Sequence, residues 1–152
     1  MTADLRSAPL RTAFEGRPRD FSLARVLAFS GGFLSEPEWP HENLHTDLDK
    51  AREAGLPDLI ASGTQSEGLL VELLIDLFGV RWLKQGVMDI KVINSVHVDD
   101  SVQAKAILTD RVAEPGCTKM SLEVWCEKQD GAKVLVGTAA CSIDNEMPDE
   151  GG

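Results

Sequence analysis

Apolar residues recur along this chain with one period before Gly79 and another after it. Between Glu67 and Phe78, the residues Leu69, Leu70, Val71, Leu73, Leu74, Ile75, Leu77 and Phe78 leave only a narrow polar stripe of Glu67, Glu72 and Asp76. A helix that is apolar on most of its circumference must be buried on most of it, so this stretch predicts a central helix. Its start falls at Ser62-Gly63-Thr64, where Ser62 or Thr64 can cap it; Glu67 follows Thr64 at the spacing of a capping box. Beyond Gly79 the period is two. Met88, Ile90 and Val92 alternate with Asp89 and Lys91; Val102, Ala104, Ala106 and Leu108 with Gln103, Lys105 and Thr109; Met120, Leu122 and Val124 with Ser121 and Glu123. These are half-buried strands, and Val134 to Ile143 supplies a fourth. Pro115-Gly116 and Asp130-Gly131 mark turns, the second closing a hairpin. A helix followed by an antiparallel meander predicts an α+β domain in which a curled sheet wraps one long central helix.

Two shorter helices precede it. Ser22 can cap a segment in which Leu23, Val26 and Leu27 repeat before Gly31-Gly32, and a second runs from Asp47 to Ala54, closed by Gly55 with Pro57 barring continuation. Between them, F-L-S-E-P-E-W-P-H-E is a loop with two prolines, acidic groups at Glu36, Glu38 and Glu42, and Trp39 as a cover for apolar surface. Residues 1–19 read as an irregular lead-in with room for one short strand, 20–146 as the domain, and 147–152 as a disordered tail.

Charge and composition narrow the function. A net charge of −10 and a pI near 4.7 exclude a general basic field for nucleic acid. No uninterrupted apolar run of signal or membrane-spanning length occurs, so a soluble, cytoplasmic protein is expected. Cys117, Cys126 and Cys141 are odd in number and lack metal-ligand spacing; they read as buried reduced thiols, and neither a metal nor a cofactor is expected.

His45, in N-L-H-T-D, sits beside a loop just before a short helix, and Ser62-Gly63-Thr64 opens the central helix. The first N–H groups of a helix have no partner within it and can receive a negative oxygen, while Gly allows close approach. A histidine and such an oxyanion site suit addition of water across an enoyl thioester. Taken singly, a histidine near a turn is more often structural, and every helix has an N-terminus.

The longer pattern N-L-H-T-D-x-x-x-A-x-x-A-G-L-P-x-x-I-A-S-G resembles the signature of the MaoC-like dehydratases, the R-specific enoyl-CoA hydratase family. The stretch V-I-N-S-V-H-V-D-D-S-V-Q-A-K-A-I-L-T and the late Q-D-G-x-x-V-L-x-G-T-A are similar to it too, so the likeness runs from about residue 20 to 143. The resemblance implies a hot-dog fold, a homodimer or heterodimer, and an acyl-CoA or acyl-carrier thioester held with its carbonyl at the central helix. It makes His45 the acid/base, the Gly63 N–H the group that polarises the carbonyl, and Asp47 the aspartate of H-x-D, which fixes the loop or caps the short helix; beside the resemblance, Ser62, Asp47, His41 and Trp39 are the residues expected on the substrate side. The family's histidine is paired with an aspartate upstream; here Pro40 stands at that spacing, or Gly32 if the gap falls after Ser30-Gly31, in a loop holding Glu36, Glu38, His41 and Glu42. Three readings follow: Glu42 or His41 substitutes for the aspartate, His45 acts alone in a different addition or elimination, or the domain is a non-catalytic acyl-binding partner subunit. A hot-dog thioesterase using Glu67 is a fourth, told apart by release of free thiol. His97 reads as a surface residue at a turn, and Arg81, Lys84, Lys91 and Lys105 as cations within reach of a CoA phosphate.

Overall fold

The computed structural model describes residues 5–145. Their order is β1 (Ala13–Glu15), β2 (Arg19–Asp20), α1 (Leu23–Ser30), α2 (Leu48–Glu53), α3 (Gly63–Phe78), α4 (Val80–Gln85), β3 (Val87–Val92), β4 (Ser101–Glu114), β5 (Cys117–Lys128) and β6 (Lys133–Asp144). One antiparallel sheet runs β1-β4-β5-β6-β3, with β2 also paired to β4. It curls around α3, which packs across β4, β5 and β6. The period-two residues are the ones the sheet buries: Val102, Ala104, Ala106 and Leu108 from β4, Met120, Leu122, Val124 and Cys126 from β5, and Ala139 and Cys141 from β6. Leu70, Leu73, Leu74 and Phe78 of α3 meet them.

Local chemistry sets the helix ends. Ser22 Oγ accepts from the Arg25 N–H at 3.3 Å, and Asp47 Oδ1 accepts from the Lys50 N–H at 2.9 Å, so both short helices start where a cap residue stands. Helix α3 begins after Ser62, whose side chain makes no capping bond. Thr64 lies inside the first turn, so the capping box expected from Thr64 and Glu67 does not form.

Three further differences from the sequence reading have physical causes. The lead-in carries two short strands and puts Leu5, Ala8 and Phe14 into the core. It covers the edge of β4, which would otherwise offer unpaired backbone groups. Helix α4 stands where none was expected: the chain turns at Gly79 (φ 63°), and Trp82 is buried against Phe78, ring centroids 6.2 Å apart. Last, α3 is buried along one face only; Leu69, Val71, Ile75 and Leu77 are half-covered. The sheet can wrap only one side of the helix, whereas the sequence pattern counts every apolar position.

At β6 a glycine is required. A Cβ on Gly137 would come within 2.8 Å of the Ile90 Cα and closer still to the Asp89 carbonyl oxygen. Gly137 thus lets β3 close onto β6, which brings the end of β3 to the start of α3.

Candidate active site

The N-terminus of α3 opens onto a cavity of about 310 Å³. It is lined by His45, Ile60, Ala61, Gly63 and Ser66 and by residues 92–96 with Val134. His45 is the one titratable side chain among the described residues that line it.

Its loop is suspended from α1. The His45 N–H donates to Asn43 Oδ1 at 2.9 Å, and Asn43 Nδ2 donates to the Ser30 carbonyl at 2.8 Å. Thr46 Oγ1 accepts from the Asn43 N–H at 3.0 Å and donates to the His41 carbonyl at 2.6 Å. The His45 ring is then fixed from the other side: Nδ1 lies 2.8 Å from the carbonyl oxygen of Ile60. A carbonyl oxygen can only accept, so Nδ1 carries the proton, and the neutral ring keeps its lone pair on Nε2. Ile60 is itself held, because it bridges to His97 and the next residue, Ala61, donates its N–H to the Val96 carbonyl at 2.8 Å.

Gly63 is where the helix meets β3. A Cβ there would lie 2.9 Å from Val92 Cγ2, so only glycine lets Val92 rest on the first turn. The Gly63 N–H is among the helix donors without an intrahelical partner, at the positive end of a helix of 16 residues. Behind the cavity the Cys126 thiol faces the Ser66 carbonyl at 3.5 Å; burial pushes its pKa up to about 12, so it stays a neutral apolar filler.

The other candidates lie elsewhere. His41 is hydrogen-bonded through Nε2 to the Glu36 carboxylate. It lines, with Glu38, Pro40 and Glu42, a separate depression of about 430 Å³. Trp39 is half-buried, its indole nitrogen against Gly31 at the end of α1 and without a hydrogen-bond partner. Asp47 spends its carboxylate on the cap of α2, Ser62 is the half-buried N-cap residue of α3, and Glu67 is half-buried on α3; none of the three lines the cavity. The His97 N–H donates to Asp100 Oδ2 at 2.9 Å within the β3–β4 turn. The structure therefore joins His45 and Gly63 and keeps Glu42, His41 and Trp39 apart from them. The sequence reading missed the Ile60 carbonyl, Ser66 and residues 92–96. Of these only Ser66 carried a signal, lying three residues after Gly63 on the same helix face. Among the described residues no cluster of His, Cys, Asp and Glu could hold a metal ion.

No protein-family model and no curated protein matches the chain. Solved structures do. A MaoC-like dehydratase from Rhodospirillum rubrum superposes with a TM-score of 0.73 at 18% identity, over 95% of this chain and 99% of the other. An (R)-hydratase from A. caviae involved in PHA biosynthesis gives 0.65 at 23%, over 90% and 97%. The chain has the hot-dog fold. A HadBC (3R-hydroxyacyl-ACP dehydratase) complex from Mycobacterium tuberculosis shares the hot-dog with a TM-score of 0.63 at 13% identity, over 91% of this chain and all of that one. The likeness is one of fold and extends over nearly the whole of each chain.

Proposed function

We propose that this hot-dog protein adds water to an enoyl thioester, or in reverse dehydrates a 3-hydroxyacyl thioester, with His45 as the sole acid/base. The observation that carries this reading is the Nδ1–Ile60 hydrogen bond, which leaves the Nε2 lone pair free on a residue that lines the same cavity as Gly63, whose N–H heads α3. Nε2 takes a proton from water as the oxygen adds to Cβ, and negative charge moves to the thioester oxygen. The Gly63 N–H and the α3 dipole stabilise that oxygen. The imidazolium then delivers its proton to Cα, which restores the carbonyl and the neutral ring. Because no carboxylate among the described residues lines the cavity, one group moves both protons, and Glu42 and His41 have no step assigned. The fold shared with named hydratases and dehydratases supports the reaction class. The carrier is CoA or an acyl carrier protein. Val92 belongs both to the cavity and to the free edge of the sheet, so pairing of a second hot-dog chain along β3 would close the site. We assign the protein as a dimer on that ground.

The test is loss of the conjugated enoyl-CoA absorbance on mixing with the protein, over short, branched and aromatic acyl groups, with a free-thiol assay in parallel. Turnover is expected without thiol release, and His45→Ala should lower kcat on the order of 10²- to 10⁴-fold, while Glu42→Gln leaves it unchanged. Full activity in His45→Ala would sink the mechanism. Thiol release would replace it with a thioesterase, and silence in both assays with a non-catalytic partner subunit or a reaction on a substrate that is not a CoA thioester.

A further inference from the structure

We infer that the hydroxyl of Ser66 is a second donor to the substrate's carbonyl oxygen, so that the oxyanion site has two arms, one from the backbone and one from a side chain. The inference rests on the reaction proposed above and adds a residue to it. Ser66 is the only buried polar residue of the described chain, at 3% exposure, and it lines the cavity. Its backbone carbonyl accepts from the Cys126 thiol; the hydroxyl is left to the cavity. A hydroxyl withdrawn from bulk water in this way needs a partner, and the space it borders is where the substrate oxygen would enter.

Helix geometry aims it. Ser66 follows Gly63 by three residues, so the two share a face, and a helical side chain covers the turn on its N-terminal side. The Ser66 hydroxyl thus leans toward the turn that ends in the Gly63 N–H. Gly63 has no side chain to stand between them, and both line the same cavity. An amide N–H fixed by the helix and a hydroxyl one turn below can together meet the lone pairs of one oxygen, and their pull grows as that oxygen gains charge. Cys126 behind Ser66 is neutral and apolar, so it does not compete for the donor.

The test follows the carbonyl directly. Butyryl-CoA carries the thioester but no double bond, and with ¹³C at the carbonyl its infrared band can be read on the protein. Binding to the wild type should lower the band's frequency; Ser66→Ala should lose part of that shift and Ser66→Thr, which keeps the hydroxyl, should retain it. A thioether analogue without the carbonyl oxygen should bind both wild type and Ser66→Ala alike. With an enoyl-CoA substrate, kcat of Ser66→Ala should fall on the order of 10²-fold with KM little changed, and thermal unfolding shows that the variant is folded. An identical carbonyl band and kcat in wild type and Ser66→Ala overturns the inference alone. A wild-type protein that hydrates no enoyl thioester, whether on CoA or on an acyl carrier protein, overturns the proposed function and this inference together.

Discussion

The two edges of the sheet are finished in opposite ways. Beyond β4, the lead-in supplies β1 and β2, buries Phe14 and ties Glu15 to Lys105, which faces it in the register. Beyond β6, β3 pairs on one side only among the described residues, and Val87 (68% exposed) and Val92 (53%) lie open at its two ends. Strand β4 shows what the alternating pattern gives when an edge is covered: every second residue from Val102 to Leu108 is buried. Strand β3 has the same alternation, yet Met88 and Ile90 are only half-covered. An apolar edge left in that state is a surface suited to another chain. A single sheet thus has one edge closed by its own chain and one edge open toward the candidate site.

Breaking the closed edge should cost most. Phe14→Ala removes a buried ring from the lead-in and is expected to lower stability by about 3–5 kcal/mol, read as a shift of the urea midpoint; a change below about 1 kcal/mol would mean that the lead-in does not close the core. The open edge should respond differently. Val87→Glu adds a charge to a strand edge on a chain already at −10, so self-association followed by sedimentation should weaken on the order of tenfold or more, equivalent to about 1.4 kcal/mol. Folding stability of the monomer should stay within about 0.5 kcal/mol. Unaltered self-association would place the contact between chains somewhere other than β3.

The smallest effect lies in the charges of the closed edge. Lys105 Nζ is 2.7 Å from Glu127 and 3.4 Å from Glu15. The hydrogen bond from Lys105, and next that from the Trp125 indole, hold the Glu127 carboxyl below its ordinary pKa of 4.5; the bond to Glu127 holds the Lys105 amine above its ordinary 10.5. The unfolded chain therefore binds the extra proton first on the acid side. The Glu127 contribution is present above pH 4.5 and is lost as pH falls through the folded value. The Lys105 contribution is present below pH 10.5 and is lost as pH rises through its folded value. Lys105→Met should flatten both limbs of a melting-temperature profile and cost about 0.2–1 kcal/mol at neutral pH, since the pair is partly solvated. Limbs as steep as those of the wild type would show that the cluster does not tie β1 to the sheet.

What could be read from the sequence divides along physical lines. The long strands and α3 announce themselves because enough residues share one period, and Ser22 and Asp47 mark helix starts because capping is a local act. Helix α4 has six residues and no room for a period, and β1 has three; both depend on Trp82 and Phe14 finding the core, which is a tertiary event. In the candidate site, His45 and Gly63 could be singled out because their residue types suit the proposed chemistry. Glu42 and His41 attracted attention by standing close to His45 in sequence. In a loop, closeness along the chain does not set direction: His41 turns to Glu36, while the His45 ring turns to a carbonyl fifteen residues away.

That carbonyl has a further consequence. The group that holds the His45 proton is part of the main chain, and every residue type at position 60 would bring the same oxygen. Point substitution of Ile60 can shift its position but cannot delete it. A ring oriented by a side chain can be released by a single codon change; the His45 ring is held by the path of the backbone, which the bridge from Ile60 to His97 helps to fix. The orientation of the His45 ring is set by the fold at position 60, while the loop that carries it still depends on the Asn43 and Thr46 side chains.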